Sequence, residues 1–510
     1  MSSSVVIRVD ASVQMGSGHV MRCATLAEEL RSRGATVTFI CRTLPGNYIN
    51  WLLSHKFEVI ALPAPVDGMA VAASELAHFS WLGVSLEQEI ADVREALSRR
   101  PVHDCLIVDH YALDEQWEGA ARSFANTIMV VDDLADRRHD CDILLDQNFY
   151  LGMQQRYDHL LPLSCKKLLG PAYALLRQEF VVQQARVKPR DAAVQRVLVF
   201  FGGIDADNYT APAIAALARA ARPQVQVDVV IGAQHPARAA IEASCMQHGY
   251  ECHVQTSRMA ELMAQADLAM GAGGTATWER CCLGLPALTV CVAENQRQLV
   301  DDAARAGFIY APRIELGDTL EETFLRHYLA LLDNPGLRNF LSRRSLEIVD
   351  GRGAARVARL MGSNAITLRL ATAGDSAAVM AWRNDDAIRA VSRNTAPITA
   401  ENHQRWFDAV LNDAQRILLI GYHADGNAAG VVRFDVHDDG AEVSIYLVPG
   451  MQRRGLGAEL LASAEQWLRT ARSDIKIIRA EVLGDNQPSH RLFLAASYVR
   501  DSTCYFKKVN

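Results

Sequence analysis

The sequence predicts an α/β protein with two doubly wound domains followed by a smaller α+β domain. Through roughly the first 360 residues, short apolar or β-branched runs alternate with helical stretches, which is the pattern of buried parallel strands joined by crossover helices. After Met361 the pattern changes to neighbouring strands separated by turn signals, which is typical of an antiparallel sheet. The length of 510 residues allows about three domains. We expect them at 1–190, 191–362 and 363–510.

The first domain begins with a strand–helix–strand unit, the repeating element of a parallel sheet. Apolar residues recur at the spacing of one helical face between the first two strands, and a glycine follows as a natural C-terminal stop. These residues are Cys23, Leu26, Ala27 and Leu30, followed by Gly34. The strands expected in this domain are 5–9, 36–41, 105–108 and 127–131.

The other two domains are predicted from the same kinds of signal. In the second domain we expect strands at 197–201, 225–231, 267–270 and 287–292, and helices at 213–221, 236–248 and 296–306. In the third domain, turn signals separate strands that we expect to form an antiparallel sheet. These strands are 366–370, 417–422, 430–434, 442–448 and 475–482.

The composition is that of a folded protein, with 50% apolar residues, 22% charged residues and a mean hydropathy of +0.00. No apolar run approaches the length of about 18 residues that a membrane helix needs, and the N-terminus lacks the features of a secretion signal. A net charge of −7 without a basic block gives no sign of nucleic-acid binding. The 11 cysteines show no spacing typical of a metal site or a disulfide framework. We therefore expect a cytoplasmic protein with reduced thiols, no metal, and no membrane or nucleic-acid partner.

The loop between the first strand and the following helix combines two glycines with a histidine. In Gly16-Ser17-Gly18 the backbone can approach a ligand closely, and the next helix turns its free N–H groups toward a phosphate or carboxylate. His19 lies at the start of that helix, where the dipole disfavours an imidazolium. We expect a neutral ring that can accept a proton from water. The alternative is a tight turn followed by a polar helix cap.

Acidic and aromatic residues follow two further strands of the first domain. They are Asp109-His110-Tyr111 and Asp132-Asp133. The carboxyl ends of parallel strands border the crevice where open sheets bind ligands, so these positions favour a functional role. Turn formation and helix capping are the other roles open to them.

The second domain carries its own glycine-rich loop, from Gly271 to Thr275. Gly273 and Gly274 give a compact anion-binding turn together with the threonine hydroxyl. Glu279 follows one helical turn later and can accept both hydroxyls of a ribose, which favours a nucleoside diphosphate. Simple loop geometry is the alternative for each glycine. Two more segments lie at strand ends of this domain: Gly202-Gly203 and Glu294-Asn295-Gln296.

Six segments in order resemble a known enzyme family: 15–23, 108–111, 141–145, 170–177, 278–281 and 294–296. They are similar to the UDP-sugar hydrolases of pseudaminic acid biosynthesis, which cleave UDP-2,4-diacetamido-2,4,6-trideoxy-β-L-altropyranose. The resemblance implies a glycosyltransferase-B-like pair of Rossmann-type domains, with His19 as general base and Tyr111 and Asn295 in the same active site. It implies a substrate and UDP site formed by Gly16, Ser17, Gly18, Gly203, Gly273, Gly274, Thr275, Glu279 and Gln296.

The third domain contains the loop Gln452-Arg453-Arg454-Gly455-Leu456-Gly457 between a strand and a helix. Its glycines leave consecutive N–H groups free to bind a pyrophosphate, although a basic turn is the alternative. With Asn486 and Ser489 after the next strand, the domain resembles the GNAT superfamily of N-acetyltransferases. The resemblance implies acetyl-CoA as cosubstrate, bound by Leu447, Gln452, Arg453, Arg454, Gly455, Leu456, Gly457, Asn486 and Ser489.

One position departs from the acetyltransferase pattern. Many members carry a tyrosine near the thiolate, in the helix after the asparagine, where this chain has Phe493. Tyr498, Tyr446 or water are therefore the options for the proton donor. The amine side could be lined by Arg383, Asn384, His403, Trp406 and Glu442, each of which could also be a surface or core residue.

Together the resemblances imply a bifunctional nucleotide-sugar enzyme. The third domain would acetylate UDP-4-amino-4,6-dideoxy-β-L-AltNAc, and the first two would hydrolyse the diacetamido product at its anomeric carbon. UDP is a good leaving group once its charge is compensated, so the protein mainly has to activate water. The alternatives are a UDP-sugar glycosyltransferase fused to an acetyltransferase, a related diacetamido-sugar pathway, and a nucleotide-sugar-binding regulator.

Overall fold

The chain forms two compact units in a computed structural model. The first comprises residues 1–29 and 36–361, and the second comprises residues 362–510 together with the short segment 30–35. Backbone alone is described for Asn295 and for residues 501, 504 and 506–508. The described residues are 3–65, 76, 78–314, 317–361, 366–392, 394–423, 426–438, 440–451, 456–484, 486–501 and 504–508.

The first unit begins with a parallel sheet. Its strands are β1 (Ser4–Val9), β2 (Thr36–Arg42), β3 (Glu58–Leu62), β4 (His103–Asp109), β5 (Ala125–Val131), β6 (Ile143–Asp146) and β7 (Lys166–Leu169). They lie in the order β3-β2-β1-β4-β5-β6-β7. The described helices of this half are α1 (Gly18–Ser32), α2 (Ile49–Ser54), α3 (Leu86–Leu97), α4 (Glu115–Ala121) and α5 (Gln178–Gln184). The four central strands were predicted from their buried apolar runs, whereas the outer strands β3, β6 and β7 were not.

A second parallel sheet follows in the same unit. Its strands are β8 (Arg196–Phe200), β9 (Gln226–Ile231), β10 (Glu251–Val254), β11 (Leu268–Ala272) and β12 (Ala287–Val290), in the order β10-β9-β8-β11-β12. Its helices are α6 (Thr210–Arg219), α7 (Arg238–His248), α8 (Met259–Gln265), α9 (Thr275–Cys282), α10 (Arg297–Arg305), α11 (Leu320–Leu332), α12 (Pro335–Ile348) and α13 (Gly353–Leu360). The predicted pair of doubly wound, Rossmann-type halves is confirmed.

Both sheets have a point at which the strand order reverses. In the first sheet β1 and β4 are neighbours, and in the second sheet β8 and β11 are neighbours. Loops that leave the carboxyl ends of such a strand pair run in opposite directions and leave a crevice between them. The residues at these ends are His19 after β1, Asp109 at the end of β4, and the two glycine-rich segments after β8 and β11.

The second unit is an α+β domain with a mixed sheet. Its strands are β13 (Ile366–Leu370), β14 (Arg416–His423), β15 (Ala428–His437), β16 (Gly440–Leu447), β17 (Ile477–Glu481), β18 (Val499–Asp501) and β19 (Cys504–Lys508), in the order β13-β14-β15-β16-β17-β19-β18. Its described helices are α14 (Ser376–Arg383), α15 (Asp386–Arg389), α16 (Ala400–Leu411), α17 (Leu456–Ala471) and α18 (Gln487–Ala495).

The prediction of an antiparallel sheet is correct for β13 to β16 and wrong for the next pair. Strands β16 and β17 run parallel, because the chain returns through the crossover helix α17. Their ladder covers only residues 440–442 of β16 and 477–479 of β17. The rest of β16 therefore has no ladder with β17.

Among the described residues, no helix combines the length and apolar character needed to cross a bilayer.

Candidate active sites

His19 forms a buried pair with Asp109, which lies 90 residues later in the chain. The Nδ1 atom of His19 is 2.6 Å from Oδ1 of Asp109, and the histidine side chain is 9% exposed. An ionised carboxylate can only accept hydrogen bonds, so the histidine carries its proton on Nδ1. The Nε2 atom of a neutral ring is then the proton acceptor. This is the arrangement of a general base held by an orienting carboxylate.

Arg22 keeps that carboxylate ionised. One turn of α1 after His19, its Nε donates to Oδ2 of Asp109 over 2.6 Å and its Nη2 donates to Oδ1 over 2.7 Å. Burial alone would raise the pKa of Asp109, but Arg22 and His19 outweigh it and hold this pKa well below its usual range. The aspartate therefore orients the histidine and does not compete with it for the proton.

The structure brings Tyr111 against His19, with the ring centroids 4.6 Å apart in an edge-to-face contact. The hydroxyl of Tyr111 donates to Oδ1 of Asp133 over 2.5 Å, and Nη1 of Arg22 lies 3.1 Å from Oδ2 of the same carboxylate. Burial raises the pKa of Tyr111, and the neighbouring Asp133 raises it further. Tyr111 is therefore a protonated hydrogen-bond donor beside the candidate base.

Two aromatic residues that sequence reasoning missed extend from Tyr111. The ring centroid of His78 lies 5.4 Å and that of Trp81 lies 5.8 Å from the ring of Tyr111. We call His78, Trp81 and Tyr111 the aromatic wall. Trp81 belongs to a short 3-10 helix, Phe79–Leu82, which is anchored by the buried Leu82. No sequence signal marks these residues, because only the folded chain brings them beside His19.

Asn148 connects this site to the second sheet. Its Nδ2 donates to Oδ2 of Asp133 over 3.2 Å, and its Oδ1 accepts a hydrogen bond from Nε1 of Trp278 over 2.9 Å. Trp278 is fully buried on α9, the helix that follows the glycine-rich loop of the second half. A hydrogen-bonded chain therefore runs from the histidine pair to that helix.

The glycine-rich loops leave room for a ligand at several predicted positions. Gly16 adopts a positive φ of 71°, and a Cβ added to Gly16, Gly18 or Gly203 would meet no neighbouring atom within 4 Å. Ser17 accepts a hydrogen bond from the N–H of Met21 through its backbone carbonyl, as part of the first turn of α1. These positions are open to an approaching anion.

The loop after β11 packs against Gln296. Gly274 has a φ of +84° and precedes α9, which begins at the exposed Thr275. A Cβ on Gly273 would lie 2.6 Å from Cγ2 of Val300, so this position requires glycine. The Oε1 atom of Gln296 is buried beside this loop and has no hydrogen-bond partner among the described residues. Buried polar atoms are normally satisfied, so this atom marks a place where a ligand can bind.

Glu279 lies further along α9 and faces Arg177, whose Nη2 is 3.4 Å from the carboxylate. Burial raises the pKa of Glu279, while Arg177 opposes the shift. Asn295 lies in the short helix Glu294–Gln296, but its side chain is outside the described residues. Of the site residues predicted in this half, only the side chain of Asn295 is therefore without a described position.

In the second unit, most of the predicted acetyl-CoA loop, residues 452–455, lies outside the described residues. Leu456 and Gly457 begin α17, and a Cβ on Gly457 would lie 3.8 Å from the side chain of Leu447. Leu447 ends β16, whose outer part has no ladder with β17. An unladdered strand edge next to a helix start can hold an extended, amide-containing molecule and its phosphates.

Asn486 and Ser489 have a local structural role. Oδ1 of Asn486 accepts the backbone N–H of Ser489 over 3.2 Å and caps α18.

The two tyrosines considered as proton donors lie in different environments. Tyr498 is 3% exposed and packs on Phe493, and burial and the nearby Glu465 raise its pKa. Tyr446 is half-buried, and burial raises its pKa while Arg383 opposes the shift. The Nη1 atom of Arg383 is buried and has no hydrogen-bond partner in the part of the chain that the structure describes.

His403 belongs to the core of this unit. Its ring is 2% exposed and its Nε2 lies 2.9 Å from the backbone oxygen of Ser376.

Among the described residues, one group of side chains could hold a metal ion. Asp228, Glu251 and His253 place ligand atoms within 4.8 Å of one another. Arg196 already binds Asp228 through two hydrogen bonds, of 2.5 and 3.2 Å. A guanidinium in that position opposes a cation, so this group is better explained as a surface ion-pair cluster.

Comparisons with known proteins give a family match for the C-terminal region and relatives that cover larger parts of the chain. Residues 377–497 match the acetyltransferase (GNAT) family. An uncharacterized protein of Methanocaldococcus jannaschii is 21% identical over 502 residues, which cover 96% of this chain and 95% of that protein.

Two further relatives match the first unit. The UDP-2,4-diacetamido-2,4,6-trideoxy-beta-L-altropyranose hydrolase of Campylobacter jejuni is 22% identical over 308 residues, covering 60% of this chain and 97% of the hydrolase. A spore coat polysaccharide biosynthesis protein of Bacillus subtilis is 24% identical over 367 residues, covering 70% of this chain and 97% of that protein. The chain thus combines similarity to this hydrolase with a region that matches the acetyltransferase (GNAT) family.

Proposed function

We propose that the chain is a bifunctional nucleotide-sugar enzyme of pseudaminic acid biosynthesis. Its first unit hydrolyses UDP-2,4-diacetamido-2,4,6-trideoxy-β-L-altropyranose to the free sugar and UDP. The observation that carries this proposal is the buried pair of His19 and Asp109 at the crevice of the first sheet. The similarity to the Campylobacter hydrolase supports the choice of sugar.

In the proposed reaction, Nε2 of His19 takes a proton from water as the water oxygen attacks the anomeric carbon. The bond between that carbon and the diphosphate oxygen breaks, and UDP leaves with the electron pair. General-base assistance of this kind contributes roughly 10²- to 10⁴-fold. Tyr111 and Asn295 would contact the sugar.

The nucleotide would occupy the loops of both halves. In the Gly16-Ser17-Gly18 and Gly273-Gly274-Thr275 segments, the N–H groups of Gly16 and Gly273 already donate to the carbonyls of Ser12 and Val290. The other N–H groups of these segments would bind the diphosphate as its charge develops. The remaining contacts to UDP would come from Gly203, Glu279 and Gln296.

The second unit would acetylate the 4-amino group of the precursor UDP-4-amino-4,6-dideoxy-β-L-AltNAc. The amine attacks the thioester carbon of acetyl-CoA, the C–S bond breaks, the nitrogen loses a proton and the thiolate gains one. Tyr446 is our choice of donor to the thiolate, and the proton lost by the nitrogen restores it through water. Tyr498 is excluded because it is only 3% exposed and packs on Phe493 in the core. The cosubstrate would be bound by Leu447, Gln452, Arg453, Arg454, Gly455, Leu456, Gly457, Asn486 and Ser489.

The test is a one-pot reaction of the full chain with the 4-amino UDP-sugar, with and without acetyl-CoA, followed by NMR. We expect the acetylated UDP-sugar to form only with acetyl-CoA, and UDP and the free diacetamido sugar to follow without any acceptor. His19→Ala should slow UDP release at least about 100-fold and leave acetylation intact. His55→Ala, at an exposed histidine of the same unit, is the matched control.

Two results would overturn the proposal. UDP release that waits for an added sugar or lipid acceptor would assign the first unit to glycosyl transfer. Unchanged UDP release by His19→Ala, with only the substrate affinity lowered, would remove the general-base role.

A further inference from the structure

Arg280 is a buried cation directly behind the glycine-rich loop of the second half. It lies on α9 and is 2% exposed. Its Nη2 donates to the backbone oxygen of Ala272 over 2.7 Å. Its Nη1 lies 2.9 Å from the place where a Cβ of Gly271 would be. Because Gly271 pairs with Phe200 on β8, the guanidinium lies at the carboxyl ends of the two strands that border the crevice.

Arg280 forms no ion pair with a carboxylate in the described part of the chain, and its Nε is buried without a hydrogen-bond partner there. The carboxylate of Glu279, the preceding residue on α9, favours the charged form of Arg280 without bonding it. Burial lowers the pKa of Arg280 to about 10, so the side chain is still a cation at neutral pH. A buried cation without a counterion is costly, because removal from water is not repaid by an ion pair. Arg280 therefore places a positive charge behind this loop before any ligand binds.

We propose that Arg280 is a positioning residue that makes the loop after β11 selective for a diphosphate. Its hydrogen bond to Ala272 holds the loop in shape, and its charge lies behind the N–H groups that would face the phosphates. In a weakly polarisable interior such a charge acts over the short distance through the loop. The inference rests on the proposed function, which assigns this loop to UDP. It adds a charged group to a site for which sequence analysis named only backbone, hydroxyl, amide and carboxylate contacts.

The test compares ligands that differ in charge. Affinities of the full chain for uridine and UDP are measured by titration for the wild type and for Arg280→Gln, Arg280→Met and Arg280→Lys. The glutamine variant keeps a donor for Ala272 without the charge, and the lysine variant keeps the charge. Loss of a charge-assisted interaction should weaken UDP roughly 10- to 100-fold in the two neutral variants. Uridine affinity should change less than about twofold, and Arg280→Lys should recover most of the UDP affinity.

Arg238→Met is the matched control, because Arg238 is an exposed arginine of the same half with an ion-pair partner on its own helix. Equal losses for uridine and UDP, or unchanged UDP affinity in Arg280→Gln, would overturn the inference while leaving the proposed function standing. Absence of UDP binding to the wild type would overturn both. If Arg280→Met fails to fold, the glutamine and lysine variants still decide the outcome.

Discussion

Buried arginines beside the crevice ends of the two sheets differ in their partners. In the first half, Arg8 pairs with Asp10 and Glu89, and Arg22 pairs with Asp109. In the second half, Arg280 is equally buried but has no ion pair with a described carboxylate, and Gln296 keeps a buried oxygen without a partner. The carboxylate that orients His19 is therefore paired without a ligand, as suits a base that must be held in one tautomer. The loop after β11 keeps polar groups available, as suits the anion site proposed for it.

Loss of the carboxylate that orients His19 should have the largest effect on UDP release, and Asp109→Asn tests it with the smallest change in shape. The amide can donate to Nδ1 of His19, which would move the ring proton to Nε2 and remove the acceptor. We expect UDP release to fall roughly 10³- to 10⁴-fold, by analogy with the loss of an orienting aspartate from a catalytic triad. UDP affinity should change little, because most of the residues proposed to bind UDP belong to the other half.

The measurement is single-turnover release of UDP, with acetyl transfer by the same sample as the folding control. Asp140→Asn, at a half-exposed carboxylate of the same half, should be fully active. Near-normal turnover by Asp109→Asn would show that the carboxylate does not set the tautomer.

A second pair of substitutions compares two carboxylates inside the first half. Burial would raise the pKa of Asp10, but Arg8 and His110 outweigh it and lower this pKa. Burial raises the pKa of Asp146, and the nearby Asp133 adds to the shift. Asp10 therefore stabilises the fold above its unfolded pKa of about 3.9, and this stability is lost as the pH falls. Asp146 has the opposite sign, so its stability contribution is lost as the pH rises through its raised pKa.

The same substitution should thus have opposite results at pH 8. Asp10→Asn leaves Arg8 with half of its partners and should cost about 3–5 kcal/mol of unfolding free energy. Asp146→Asn mimics the protonated acid and should be neutral or stabilising at pH 8, with less effect at pH 5. Urea unfolding at the two pH values measures both. Similar destabilisation by both variants would contradict the assigned charge states.

Sequence reasoning found the parts of the site that are local and missed those that depend on packing. His19 and the loop before Glu279 follow directly from a strand, a glycine turn and a helix start, which need only neighbouring residues. The pairing of Asp109 with His19 depends on β1 and β4 being neighbours in the sheet, which their sequences do not show. The parallel β16–β17 pair was missed for the same reason, since strand direction follows from a crossover that a list of apolar runs does not reveal. No sequence pattern marks Trp81 as a site residue.

Substitution in the aromatic wall should have the smallest of the predicted effects. It tests whether the first half binds the sugar while the second half binds UDP. If the first half binds the sugar and the second binds UDP, Trp81→Ala should raise KM for the UDP-sugar roughly 10-fold, the scale of a lost apolar contact. It should leave UDP affinity unchanged. Trp81→Phe should recover much of the loss, because a flat apolar face remains. Trp51→Ala is the control, since Trp51 stacks on His55 in the same half. A parallel loss of UDP affinity in Trp81→Ala would place the nucleotide, and not the sugar, against Tyr111.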